Sequence, residues 1–187
     1  MQDAHPFMLS VVIPMYRESD RIESTLRDVM ETLRTRGHPS EVILVDDGSG
    51  DATIETVRPH LRDRAVGSIQ RVVLVRFDRN RGKGAAVRAG LAEARGSWRL
   101  MMDADNAARV LEVDRLLAHA KGDVGIVAGS RSVPGSQVDA KGFRRLTGFL
   151  FKSSLRVMGL RLARDTQCGF KLYRADLAEA IVGAGVE

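Results

Sequence analysis

The chain has 187 residues, 44% hydrophobic and 28% charged, with 29 Lys+Arg against 24 Asp+Glu and a formal net charge of +5. That length suits a single α/β domain with a real core, the composition excludes a low-complexity chain, and a lone cysteine, Cys168, excludes an intramolecular disulfide. No apolar run approaches the roughly 20 residues that span a bilayer, and no basic-then-apolar leader opens the chain, so the expectation is a cytoplasmic protein, soluble or peripheral on the membrane face.

Leu9-Ser10-Val11-Val12-Ile13, ended by Pro14, reads as a buried strand. Ser19 and Asp20 then offer N-caps, with Glu23 placed as in a capping box; Ile22, Leu26, Val29, Met30 and Leu33 follow at helical spacing, and Gly37 stops the helix. Val42–Val45 is a second strand, followed by Asp46-Asp47-Gly48-Ser49 and a helix from about Asp51 to Leu61. Val72–Val75 is a third strand, followed by a glycine-containing loop and an alanine-rich helix from Lys83 to Arg95. Trp98–Met102 is a fourth strand running directly into Asp103, and a helix near Leu111–Ala120 precedes a fifth strand, Val124–Ala128.

Strands apolar on both faces, alternating with amphipathic helices, predict an α/β fold: a mostly parallel sheet with helices on both faces. In such sheets ligands gather at the carboxyl ends of the strands. Those ends carry Pro14 to Glu18, Asp46 to Ser49, Asp78 to Lys83 and Asp103 to Asn106, an acid-lined rim above an apolar sheet.

Asp103 and Asp105, two apart at a strand end, point the same way and can converge on one hard cation, Mg2+ or Mn2+, which would neutralise a diphosphate. An isolated Asp-x-Asp is also an ordinary acidic turn, and its company decides between the two. Asp46 and Asp47 can accept hydrogen bonds from a base or ribose, while Asp-Gly-Ser is equally a turn and helix cap. Gly82-Lys83-Gly84 before a helix N-terminus can attract phosphate, though it is neither a full dinucleotide fingerprint nor a P-loop, and a plain turn fits as well. The four histidines are scattered without ligand spacing, and Cys168 reads as packing.

Together these pieces resemble the inverting family-2 glycosyltransferases of the GT-A fold. Val12-Ile13-Pro14-Met15-Tyr16-Arg17-Glu18 is similar to that family's first-strand motif, with Arg17 in place of the usual Asn; Val45–Ser49, Asn80–Gly90 and Met102–Asp105 are similar to its next three motifs, in order. Within the family, Asn80–Gly90, Gly129-Ser130-Arg131 and Asp165–Tyr173 resemble the dolichyl-phosphate or polyprenyl-phosphate glucosyltransferases.

The resemblance implies transfer of a hexose, glucose favoured, from a nucleotide-diphosphate sugar such as UDP-glucose to polyprenyl or dolichyl phosphate. Pro14, Tyr16, Glu18, Asp46, Asp47, Gly48 and Lys83 would line the nucleotide pocket. Asp103 would sit near the ribose or metal, and Asp105 would be the principal metal ligand. Arg131 would meet the acceptor phosphate, with Asp165 and Gln167 bordering sugar and acceptor. A phosphate acceptor is already largely anionic at neutral pH and needs no base. The acidic pair that other branches show reads Asp165-Thr166-Gln167-Cys168 here, although Asp165 can serve as a base toward a hydroxyl acceptor. A soluble hydroxyl acceptor and a non-catalytic nucleotide-sugar-binding module are the other readings.

Residues 141–164 set Arg145, Lys152 and Arg156 in one basic stripe beside a broad apolar face, which suits either an anionic membrane surface or packing on the domain. With aromatics at 5%, nucleic acid is not expected. The whole is expected to be a single GT-A domain over 1–187, shortened on its C-terminal side relative to the family.

Overall fold

The computed structural model describes residues 5–62, 67–129 and 168–184. Residues 1–128 with 169–187 form a compact unit, and 129–168 form a second. Apart from Gly129 and Cys168 the second unit lies outside the described residues, so the predicted basic stripe at 141–164 does too.

Strand β1 (Phe7–Met15) is the centre of the sheet, buried almost throughout because it is apolar on both faces. Helix α1 (Ile22–Thr35) buries Ile22, Leu26, Val29, Met30 and Leu33, the stripe its spacing predicts. The capping box does not form. The N-cap is Arg21, without a side-chain cap, because the Glu18 carbonyl accepts the Arg21 and Ile22 N–H groups at 3.0 and 2.9 Å and starts the helix through the backbone. Ser19 and Asp20 fall within that turn, and Glu23 pairs instead with Arg27 (3.3 Å) and His60 (3.1 Å). Gly37 ends the helix region with φ +73°.

Strand β2 (Ser40–Asp46) is buried along its length. The helix expected from 51 to 61 divides into α2 (Thr53–Val57) and a 3-10 turn (Arg58–Arg62), since Pro59 lacks an N–H and crowds the preceding turn. β3 (Ile69–Arg76) is a half-buried edge strand. α3 (Lys83–Glu93), β4 (Gly96–Met101), a 3-10 turn (Val110–Glu112), α4 (Val113–His119), β5 (Ile126–Ala128), β6 (Lys171–Arg174) and α5 (Ala175–Gly183) complete the described chain.

The sheet order is β3-β2-β1-β4-β6-β5. β1 runs parallel to β2 (Val12 opposite Ile43) and to β4 (Val12 opposite Met101), and β2 runs parallel to β3. The sequence reading missed β6, which lies antiparallel between β4 and β5, with Leu172 opposite both Leu100 and Val127. Four residues are too few to announce a strand by alternation. β5 is consequently an edge, shortened to Ile126–Ala128 and half exposed rather than a buried fifth parallel strand.

On one face Val12, Ile43, Val45 and Met101 pack with Ala86 and Leu91 of α3 and Ala178 of α5. α3 approaches closely because Gly90 has no side chain: a Cβ there would collide with Val12 and lie 3.0 Å from Val45 Cγ2. The alternate residues Val11, Ile13, Val42, Leu44 and Leu100 point to the other face and are equally buried. Each such side chain contributes about 1.5–3 kcal/mol by leaving water.

At the amino ends of the strands, Glu41 is fully buried. Its Oε1 accepts the Ser10 hydroxyl (2.6 Å) and the Arg95 N–H (2.5 Å), and its Oε2 accepts Arg71 Nη1 (2.6 Å). No helix among the described residues is long and apolar enough to cross a membrane.

Candidate functional site

Because β1, β2 and β4 are parallel, they end at one rim. Asp47 N–H donates to the Met15 carbonyl (2.8 Å) and Met102 N–H to the Val12 carbonyl (3.0 Å), so the segments after the three strands leave side by side.

The middle segment builds the wall of the site. Asp46 is fully buried; its carboxylate accepts the Ser49 N–H at 3.2 Å and lies 3.5 Å from Arg76 Nε. Asp47, also buried, accepts the Arg81 N–H at 2.7 Å on one oxygen and the Gly82 N–H at 3.0 Å on the other. Gly48 takes φ +74°, and a Cβ there would lie 2.7 Å from Arg79 Cα and Asn80 N. Thus both carboxylates engage backbone amides: Asp46 holds its own turn at Ser49, and Asp47 fixes the loop before α3.

That loop delivers Lys83 to the rim. Gly82 caps α3 with φ +90°, and a Cβ built on Gly82 or Gly84 would meet nothing within 4 Å among the described residues, so these leave the helix N-terminus uncrowded. The Lys83 ammonium reaches Asp103 Oδ1 at 2.5 Å. The Asp103 carboxylate also lies against Gly169, where any Cβ would collide with both of its oxygens.

The Asp103-Ala104-Asp105 motif does not prolong its strand. β4 ends at Met101 and the motif occupies a turn, anchored where Thr25 donates its hydroxyl to the Ala104 carbonyl at 2.7 Å. Ala104 is buried and Asp105 exposed, its Oδ1 accepting the Ala107 N–H at 3.0 Å. Asn106 completes the turn at φ +53°.

Glu18 faces the same place. Burial pushes its carboxyl above the ordinary value of 4.5, Arg21 at 2.8 Å opposes this, and the charges of Asp105 and Asp103 push it further up. Pro14 is buried in β1, while Tyr16 is 40% exposed with the Arg17 guanidinium 5.2 Å from its ring centre. Arg17 holds φ +54°, and its N–H donates to Ser49 Oγ (2.9 Å), stitching the first segment to the second.

A divalent metal suits this donor set. Asp103 and Asp105 offer hard carboxylate oxygens, and Glu18 is close enough to feel both of their charges. Among the described residues no three His, Cys, Asp or Glu form a cage. An ion held by two carboxylates and completed by substrate phosphates is the arrangement Mg2+ favours.

The structure therefore brings together Glu18, Asp47, Lys83, Asp103 and Asp105, with Asp46 and Gly48 beneath them. Arg131, Asp165 and Gln167 lie outside the described residues. Sequence reasoning missed Thr25 and Gly169. Thr25 could have been noticed as the polar residue on the apolar stripe of α1. Gly169 falls within the Asp165–Tyr173 stretch of the resemblance, which does not show that it seats Asp103.

Residues 10–182 match the family described as Glycosyl transferase family 2. A dolichyl-phosphate beta-glucosyltransferase from Dictyostelium discoideum is 37% identical, over 92% of this chain and 56% of that protein. This chain thus spans little more than half the length of that relative. Among solved structures, a mannosyltransferase from Pyrobaculum calidifontis in complex with GDP-mannose and Mn2+ superposes with a TM-score of 0.63 at 24% identity, over 94% of this chain and 46% of that one. Glucosyl-3-phosphoglycerate synthase from Mycobacterium tuberculosis, in complex with Mn2+ and UDP-glucose, gives 0.62 at 20% identity, over 92% and 57%. At these identities the likeness is one of fold, the GT-A arrangement of a mostly parallel sheet flanked by helices.

Proposed function

The chain belongs to glycosyl transferase family 2, and from that premise we propose that it transfers glucose from UDP-glucose to a polyprenyl or dolichyl phosphate with inversion. The observation that carries this reading is the rim itself. Three carboxylates, Asp103, Asp105 and Glu18, share this rim with Lys83 on Asp103 and Arg21 on Glu18, beside the N-terminus of α3. A diphosphate bridged by a cation answers both halves of that arrangement. The relative named for dolichyl phosphate and glucose, at 37% identity, supports the choice of acceptor and sugar.

Asp103 and Asp105 would hold Mg2+ or Mn2+, which when bound neutralises the departing diphosphate. Asp47 fixes the Arg81–Gly82 backbone, and so sets where Lys83 meets the phosphates. Pro14, Tyr16, Glu18, Asp46 and Gly48 form the rim and floor beside the nucleoside. An acceptor phosphate oxygen attacks the anomeric carbon as the bond to the diphosphate breaks, and the nucleoside diphosphate leaves. With a second pKa near 6, that phosphate needs no base at neutral pH. Arg131 would pair with the acceptor phosphate, while Asp165 and Gln167 border the sugar. The stripe at 141–164 would rest on the membrane surface that presents the lipid.

The test is transfer of labelled glucose from UDP-glucose, with Mn2+, to a short-chain polyprenyl phosphate in detergent, alongside calorimetry of UDP and GDP binding. Lipid-phosphate product and metal-enhanced UDP binding are expected. Transfer only to a soluble hydroxyl acceptor would overturn the acceptor, and no binding of either nucleotide would overturn the donor site.

A further inference from the structure

The whole Asp103 carboxylate is seated against Gly169, where a Cβ would collide with both of its oxygens. On its open side Oδ1 accepts the Lys83 ammonium at 2.5 Å. The root of Lys83 is fixed, because Asp47 binds the N–H groups of Arg81 and Gly82 immediately before it. Its side chain is 59% exposed and can swing in solvent, whereas the Asp103 side chain is only 27% exposed. The carboxylate is therefore the seated partner and the ammonium the movable one.

An ammonium and a divalent cation cannot share Oδ1 without facing each other as like charges at contact range. We propose that Lys83 is a tethered cation that holds the Asp103 position against metal until the donor arrives. The diphosphate then draws the ammonium to its own oxygens, over Gly82 and Gly84, which no described residue crowds, and releases Oδ1 to the incoming ion. Lys83 acts in this as a positioning residue that makes metal and nucleotide enter together. Metal alone binds poorly, nucleotide alone lacks its counter-ion, and each raises the affinity of the other by the same factor. The inference rests on the donor-site reading, in that Asp103 must be a metal-facing group.

The experiment is a Mn2+ titration of the chain, followed by the loss of the free-ion paramagnetic signal, without and with saturating UDP. It is run on wild type, Lys83→Met, Lys83→Arg and Asp105→Ala. Wild type is expected to bind Mn2+ weakly alone and strongly with UDP. Lys83→Met is expected to bind Mn2+ alone about tenfold more tightly, and to lose about as much of the UDP-dependent gain. Lys83→Arg, which keeps the charge, should restore the wild-type pattern. Unchanged or weaker Mn2+ binding to Lys83→Met, with the UDP-dependent gain intact in wild type, overturns the tethered-cation role and leaves the donor site standing. Absence of any UDP-dependent Mn2+ binding in wild type, or its persistence in Asp105→Ala, overturns the donor site itself and the inference with it.

Discussion

Glu41 and Asp103 stand at opposite ends of the same parallel strands and meet opposite treatment. Glu41, fully buried, has its oxygens occupied by a hydroxyl, a backbone N–H and the Arg71 guanidinium, which also pairs with Glu93. Asp103, at the carboxyl rim, is answered by one mobile lysine, and its neighbour Asp105 by a single backbone N–H. A carboxylate sealed inside the fold must be matched by the fold, because water cannot solvate it. A carboxylate at an open rim can keep capacity in reserve for a ligand. Charge near a strand end marks function where the protein itself leaves it only partly answered.

Substitution separates the two ends. Glu41→Ala should lose about 3 kcal/mol in urea denaturation, since Arg71 and the Arg95 N–H are left without their buried acceptor. A loss below about 1 kcal/mol would mean that water reaches the amino end and that the contrast is overstated. Asp105→Ala should leave stability within about 0.5 kcal/mol yet weaken Mn2+-dependent UDP binding about 100-fold, roughly 2.7 kcal/mol by calorimetry. Equal losses of stability at both ends would break the comparison.

Gly169→Ala tests the seat of Asp103. The added methyl must displace the carboxylate, so about 1–2 kcal/mol of stability should go, with Mn2+-dependent UDP binding about tenfold weaker. Unchanged UDP binding would show that Asp103 adapts freely.

The smallest effect concerns pH. Burial, with help from Asp105 and Asp103, raises the Glu18 carboxyl above 4.5 in the folded chain, so the unfolded chain releases that proton first. The contribution of Glu18 to stability is then fully present below pH 4.5 and is lost as pH rises through the folded value. Because Glu23, Asp28, Asp51 and Asp176 are shifted the opposite way, the decline is read as the difference in melting temperature between wild type and Glu18→Gln, which should shrink as pH rises. Parallel profiles would mean that Arg21 cancels the rim charge.

Much of the sheet was legible in the chain. The apolar runs of β1, β2, β3 and β4 were legible as strands of a parallel sheet, though not which of them is an edge, and the spacing in α1 named its buried stripe. The acids at the strand ends were legible for the same reason, since parallel strands deliver their ends to one rim. β6 was not legible: four residues, two of them Lys171 and Arg174, carry no usable period, and only pairing with Leu100 and Val127 makes them a strand. The capping box failed because the helix begins at Arg21, one residue past Asp20, with its first turn closed by the Glu18 carbonyl.

Hydrophobic periodicity and the order of acidic motifs are local properties, and they sufficed to determine the fold class, the rim and the residue types available for a cation and a diphosphate. The work each acid does is a matter of distance through space. Asp46 and Asp47 are drawn into the fold while Asp103 and Asp105 stay at the rim, because Ser49 and Arg76 hold the first, the Arg81 and Gly82 N–H groups hold the second, and Thr25 anchors the turn that carries the other two. Most of those contacts join residues far apart in the chain, and only the packed tertiary structure could decide them.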